Sequence, residues 1–214
     1  MEITAILNIL LIAFIFSLMY ISIANRLLTF IKILAFQGMI LFGLALIELQ
    51  DIHPVNLAFI LLETIVFKTI AVPIFLNYVI KRNNITREAE PYLPNFISLI
   101  IITIIIASTF LLSNAISDHY LKKIYFVVVL SALFSGLYII VTRRKIITHV
   151  IGYLVIDNGV FILSFVIGDD IPMLVNLGIL LDIFVSVLLL GIFVNKIVDV
   201  LKDVDVNRLR NLKD

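Results

Sequence analysis

Long apolar runs separated by short polar clusters dominate this chain. Each run is roughly 20 residues long, which is the length that a helix needs to cross about 30 Å of hydrocarbon. The pattern therefore predicts an all-α fold, a polytopic bundle of about seven transmembrane helices. The first run opens with Glu2 and exceeds the usual apolar length of a secretory signal, so it is interpreted as a span. The predicted spans are 3–24, 27–49, 55–80, 96–116, 124–141, 146–167 and 173–194.

The polar clusters divide the chain into a predicted order of segments. Residues 1–80 form a three-helix transmembrane segment, 81–94 a cytoplasmic linker loop, and 95–198 a four-helix transmembrane segment. Residues 199–214 are charged, with leucines and valine at near-helical spacing, which is typical of an amphipathic helix on a membrane surface. The same tail is also suited to docking on a partner subunit.

Composition supports the membrane interpretation and excludes several functions. The chain is 62% hydrophobic and 14% charged, against about 25% charged residues in soluble domains. It has no cysteine, so it cannot hold a metal centre or an iron-sulfur cluster by thiolates. We therefore expect no cofactor and no metal in this chain, and any redox chemistry belongs to a partner. The net charge of +1 gives no attraction to nucleic acid.

The lysines and arginines between the runs predict an orientation. With seven spans, twelve of them fall on one side, and only Lys122 and Lys123 fall on the other. By the positive-inside rule the amino terminus lies outside and the carboxy terminus is cytoplasmic, in a multi-pass protein of the cell (inner) membrane. The twelve are Arg26, Lys81, Arg82, Arg87, Arg143, Arg144, Lys145, Lys196, Lys202, Arg208, Arg210 and Lys213.

Two aspartates lie at matched depth in the last two predicted spans. Asp157 and Asp182 are each about ten residues from the turn at 168–172, which places both about 15 Å deep. A charged group there costs at least about 2.5 to 3.5 kcal/mol, so it is a functional candidate. Low-dielectric surroundings favour the neutral, protonated form of a carboxyl group. A group that transfers protons must be able to take one up. The alternative is a structural hydrogen bond to a polar companion such as Asn158 or Asn176.

A possible route to Asp157 runs along the sixth predicted span. His149, Tyr153 and Asp157 follow at four-residue steps and so share one helix face. This ladder predicts a proton path inward from the basic edge. In the alternative interpretation His149 is interfacial and Tyr153 only packs.

The third predicted span contains a lysine in its middle. Lys68 needs an acidic or aqueous partner from another helix or subunit, because snorkelling from mid-span is hard. Glu63 is five residues away, about 140° around a regular helix, so the two share a face only if the helix is distorted. Pro73 removes the hydrogen bond to the carbonyl of Thr69 and predicts a kink or unwinding just after Lys68.

The second predicted span carries three further polar groups. Lys32 and Glu48 lie near its ends, where snorkelling explains them. Gln37 lies deeper, where it either joins helices by hydrogen bonds or lines a polar water path.

Four stretches resemble component E of hydrogenase-4 and formate hydrogenlyase complexes, in chain order. They are 67–73 (FKTIAVP), 149–159 (HVIGYLVIDNG), 172–182 (PMLVNLGILLD) and 205–213 (DVNRLRNLK). The last predicted hairpin is in turn similar to the small subunit K of complex I, whose two buried glutamates match Asp157 and Asp182. The match departs from the family pattern at Asp157, where glutamate is usual, and at Asn176, where glutamate is common.

The resemblance implies a non-catalytic membrane subunit of an oxidoreductase complex that couples electron transfer in a peripheral arm to proton or sodium translocation. Its expected partners are antiporter-like membrane subunits, the membrane anchor subunit and the redox arm. Asp157 and Asp182 then form the core of a lateral row of charges that Lys68 and Glu63 extend. Two alternatives stay open: a subunit of a cation/proton antiporter without redox partners, and a structural spacer whose polar groups only join helices.

Overall fold

The computed structural model describes residues 2–49, 54–82, 92–115 and 122–167, and the regular structure in these ranges is helical. The all-α class that the apolar runs predict is therefore confirmed for this part of the chain. In order, the helices are α1 (Glu2–Ile23), α2 (Leu27–Glu48), α3 (Pro54–Leu62), a π-helix (Glu63–Ala71), α4 (Val72–Arg82), α5 (Asn95–Ala115), α6 (Lys123–Thr142) and α7 (Ile146–Ile167).

Six helical segments of the described chain are long and apolar enough to cross a membrane. The third of them is Ile60–Tyr78, which runs from α3 through the π-helix into α4. The predicted seventh span, 173–194, and the tail, 199–214, lie outside the described residues. The count of seven and the orientation therefore stay predictions.

The helices from the two predicted transmembrane segments pack into one bundle. Helix α1 contacts α2, α5 and α6, and α2 contacts α7 and the π-helix. Large apolar side chains face outward from this bundle, among them Phe96, Phe110 and Val141. Outward-facing apolar groups are expected where lipid is the solvent.

Helices α6 and α7 make the closest backbone approach in the described bundle, at small residues. A Cβ atom added to Gly136 would lie 2.6 Å from the carbonyl oxygen of Gly152, and one added to Gly159 would lie 2.7 Å from the Cβ of Ala132. Small residues let helices approach closely in a membrane, where van der Waals packing replaces the hydrophobic effect as the driving force. This approach fixes the position of α7, which carries Asp157.

Tyr92, near the end of the predicted linker, contacts the end of α6 and the loop that follows it. The backbone N–H of Tyr92 donates to the carbonyl of Thr142 at 2.9 Å, and the guanidinium of Arg144 lies 4.4 Å from the centre of the Tyr92 ring. Helix α5 is tied to α6 as well, since Thr109 and Ser131 share a hydrogen bond of 2.8 Å. These contacts hold α5, the least buried of the described spans, against the bundle.

Candidate functional site: a buried ion pair and its polar chain

Lys68 and Asp157 form an ion pair inside the bundle. The Lys68 Nζ atom lies 2.7 Å from Asp157 Oδ2, and each side chain is only 8% exposed. The ammonium also lies 5.1 Å from the centre of the Phe161 ring, within the range of a cation–π interaction. The acidic partner that the sequence requires for Lys68 is therefore Asp157 of α7.

A chain of side-chain amides extends from this pair. Asn158 Oδ1 lies 3.5 Å from Lys68 Nζ, at the outer limit of a hydrogen bond, and Asn158 Nδ2 donates to Gln37 Oε1 at 3.0 Å. Gln37 Nε2 donates to Ser17 Oγ at 2.9 Å, and all three of these side chains are buried. We call Ser17, Gln37, Lys68, Asp157 and Asn158 the polar chain. It joins α1, α2, the π-helix and α7.

The donors of the polar chain all point away from Lys68. The ammonium donates to Asn158, whose amide donates to Gln37, whose amide in turn donates to Ser17. The Asn158 and Gln37 oxygens that face toward the lysine are thus the negative ends of amide dipoles. The amides stabilise a positive charge on Lys68 independently of Asp157.

The π-helix places Lys68 in this pair. Hydrogen bonds in a π-helix join residues five apart. The Val72 N–H donates to the Phe67 carbonyl in this way, and Thr69 Oγ1 donates to the Thr64 carbonyl at 2.9 Å. The π-helix ends at Ala71, two residues before Pro73, which has no N–H to donate to the preceding turn.

Glu63 lies on the same side of the π-helix as Lys68. Residues five apart return to one face in this geometry, unlike in a regular α-helix. The Glu63 side chain is buried, as is that of Lys68. The helix distortion that the sequence requires for these two residues to share a face is thus present, and it extends over both of them.

The three residues of the predicted ladder differ in their surroundings. His149 is half-buried, and its Nε2 donates to the carbonyl of Arg143 at 2.8 Å, so the imidazole ties the start of α7 to the end of α6. Tyr153 is half-buried between His149 and the buried Asp157. The proton path along these residues stays a prediction.

Sequence reasoning missed two residues that the structure makes important. Ser17 ends the polar chain in the last third of α1, and the only sequence signal is a hydroxyl within an apolar run. The sequence places Arg143 in a basic cluster that is predicted to be cytoplasmic, but its side chain is buried. Its Nη2 donates to the Ser22 carbonyl at 2.5 Å, and its guanidinium lies 5.4 Å from the centre of the Phe30 ring.

Arg143 is a buried cation at the end of the bundle where α6 meets α7. Burial lowers the pKa of its guanidinium below the ordinary value, while Tyr138 acts in the opposite sense. The Ser22 carbonyl belongs to the last turn of α1, where helix carbonyls lack intrahelical partners and the helix dipole is negative. Arg143 therefore caps α1 from another helix.

A second ion pair lies at the opposite end of α6. Glu48, at the end of α2, pairs with Lys122 and accepts a hydrogen bond from Tyr125 Oη at 3.1 Å. Glu48 thus has protein partners in addition to its position near the helix end, whereas Lys32 is exposed, as snorkelling requires.

Two of the predicted site residues, Asp182 and Asn176, lie outside the described residues. The proposed equal depth of Asp157 and Asp182 is therefore a prediction only. Within the ranges that the structure covers, no three His, Asp or Glu side chains gather where they could hold a metal ion.

The described residues form a helical bundle with membrane-spanning dimensions and a buried ion pair. No family model matches it, and no solved structure matches it. It is 33% identical over 89 residues to an uncharacterized protein of Mycobacterium tuberculosis. The match covers 42% of this chain and 39% of the length of the mycobacterial protein.

Proposed function

We propose that this chain is a non-catalytic membrane subunit of an energy-converting hydrogenase or complex I-like assembly. In this role it passes protonation changes along the membrane between antiporter-like subunits and the anchor of a peripheral redox arm. The observation that carries the proposal is the buried Lys68–Asp157 pair. Opposite charges are costly to keep inside a membrane, and in membrane proteins they are typical of ion and proton pathways.

The chemistry of the pair fits such a role. Protonation of Asp157 removes its negative charge and with it the Coulomb attraction between this carboxylate and the Lys68 ammonium. The ammonium is then held by the Asn158 oxygen and the Phe161 ring, which lie within reach of it. Arrival of a proton thereby becomes a displacement of a positive charge, which a neighbouring titratable group senses electrostatically.

The full proposal includes residues beyond the pair. Asp182 and Glu63 extend the row of charges on either side, and His149 and Tyr153 supply protons from the basic end. The chain has seven spans in the cell (inner) membrane, with its amino terminus outside and its tail cytoplasmic. Peripheral electron transfer belongs to other subunits, since this chain has no cysteine to bind a cluster.

The test uses the intact complex in membrane vesicles. Asp157→Asn combined with Asp182→Asn is expected to leave the complex assembled and to reduce cation transport to a small fraction. The matched control is Asp169→Asn combined with Asp170→Asn, in the turn that the sequence places between the last two spans. Full transport in the first double variant would refute the assignment.

A structural role is a second candidate, because the polar chain satisfies its buried amides and ties four helices together. Such bonds are worth about 0.6 kcal/mol on average in a membrane protein. If the groups only join helices, neutral replacements at Asp157 and Lys68 reduce assembly and transport in parallel. A loss of transport in a fully assembled complex excludes this role.

Copurification in mild detergent tests the proposed partners. Large subunits with cysteine motifs for iron-sulfur clusters are expected to accompany this chain. Recovery of antiporter-like subunits alone would instead identify a cation/proton antiporter without redox partners.

A further inference from the structure

Gly38 is the point at which α2 touches the backbone of the π-helix. A Cβ atom added to Gly38 would lie 3.0 Å from the carbonyl carbon of Lys68, 3.0 Å from the Cα of Thr69 and 2.7 Å from Thr69 Oγ1. Glycine is therefore the residue that lets the peptide between Lys68 and Thr69 lie against α2.

The atoms that a side chain at Gly38 would meet cannot easily move aside. Two of the three belong to the backbone, and the third, Thr69 Oγ1, is held by its hydrogen bond to the Thr64 carbonyl. Relief of the overlap thus requires the π-helix and α2 to separate. Gly43, one and a half turns further along α2, differs in this respect: a Cβ there would meet only the end of the Leu10 side chain, at 3.2 Å.

Separation of α2 from the π-helix would lengthen the ion pair. Gln37, adjacent to Gly38, accepts a hydrogen bond of 3.0 Å from Asn158 of α7, so α2 and α7 keep their relative positions. A π-helix pushed away from α2 carries the Lys68 ammonium away from Asp157, now 2.7 Å distant.

We propose that Gly38 is a positioning residue for the Lys68–Asp157 pair, and this inference rests on the function proposed above. Its absence of a side chain sets the distance between α2 and the Lys68 peptide. That distance determines whether the Lys68 ammonium reaches the Asp157 carboxylate.

The first measurement compares Gly38→Ala with Gly43→Ala in the complete complex. Gly38→Ala is expected to lower cation transport about tenfold or more per assembled complex, because a misplacement of about 1 Å is enough for such a loss. Gly43→Ala, the same substitution on the same helix, is expected to keep transport within about twofold of the parent. Equal transport in the two variants would overturn the inference, provided that Lys68→Met itself abolishes transport.

The second measurement is a double-mutant cycle in thermal stability, which does not depend on transport. Gly38→Ala lowers the unfolding temperature of the purified complex through both the overlap and the weakened ion pair. In a Lys68→Met background the pair is already lost, so at least half of the decrease is expected to disappear. The effect of Gly43→Ala is expected to be the same in both backgrounds.

The cycle separates this inference from the proposed function. An equal decrease for Gly38→Ala in both backgrounds means that the glycine only packs, and the inference fails. Full transport in Lys68→Met means that the proposed function fails, while the cycle still decides the role of Gly38. If Gly38→Ala prevents assembly, the double variant with Thr69→Ala, which removes the 2.7 Å contact, is measured against Thr69→Ala in the same cycle.

Discussion

Lys68 and Asp157 each have a buried charge that the other helps to compensate. Removal of one partner of a buried ion pair leaves an uncompensated charge and costs about 3 to 5 kcal/mol, whereas removal of both is often close to neutral. The stability of this protein should therefore depend on the balance of charge at the site more than on either residue alone.

Lys68→Met and Asp157→Asn provide a test at this scale. Each single variant is expected to lower the unfolding temperature of the purified protein, and the double variant is expected to recover most of the loss. The measurement is thermal unfolding in mild detergent. Ser108→Ala, at an exposed hydroxyl that bonds only within its own helix, is the control. Additive losses in the double variant would show that the two charges do not interact.

The sequence shows which polar residues lie within the apolar runs, but not which of them contact each other. Lys68, Asp157 and Gln37 stood out because a polar group inside an apolar run is costly. The contacts among these residues could not be predicted, because pairing between helices depends on how each helix is rotated about its axis. A long apolar run contains little information about that rotation. Ser17 shows the same limit, since a small hydroxyl can satisfy itself on its own helix.

At the scale of the element, the π-helix is a departure from regular geometry with an identifiable origin. Pro73 supplies no N–H to the preceding turn, and the hydroxyl of Thr64 donates to the carbonyls of Ile60 at 2.9 Å and Leu61 at 3.1 Å where the π-helix begins. Thr64 and Pro73 thus lie near the two ends of the π-helix. The sequence predicted a distortion near Lys68 from Pro73, but not its length.

Pro73→Ala should separate stability from function. The new N–H can bond to the Thr69 carbonyl and favour a regular α-helix, which would rotate Lys68 relative to Asp157. The new backbone hydrogen bond offsets part of the loss from the weakened ion pair, so the unfolding temperature is expected to fall less than in Asp157→Asn, while cation transport of the assembled complex falls several-fold. A variant with unchanged transport would mean that the π-helix is not required. Pro94→Ala, just before α5, is the control at a residue outside the site.

At the scale of the whole molecule, the apolar runs predicted the helices closely because about 20 apolar residues have few other stable arrangements in lipid. The ends of α2, α5 and α7 lie within a few residues of the predicted spans. The packing of α2 between the π-helix and α7 could not be predicted in this way, since it depends on glycines such as Gly38 that hydropathy ignores.

The orientation of the bundle is open to a direct experiment, because the chain has no native cysteine. Arg144→Cys and Lys123→Cys introduce single thiols at exposed positions at opposite ends of α6. A membrane-impermeant maleimide added to intact cells is expected to label Lys123→Cys, and Arg144→Cys is expected to react only after the membrane is opened. The reverse pattern would contradict the predicted orientation.

The residues of the polar chain are also synthesised at different times. Lys68 precedes its partner Asp157 by 89 residues, and Gln37 precedes Asn158 by 121. At roughly 5 to 20 residues per second, the lysine waits roughly 4 to 18 s for its carboxylate to leave the ribosome. During that interval the Lys68 ammonium lacks this carboxylate, so the third span reaches its final arrangement only after α7 arrives.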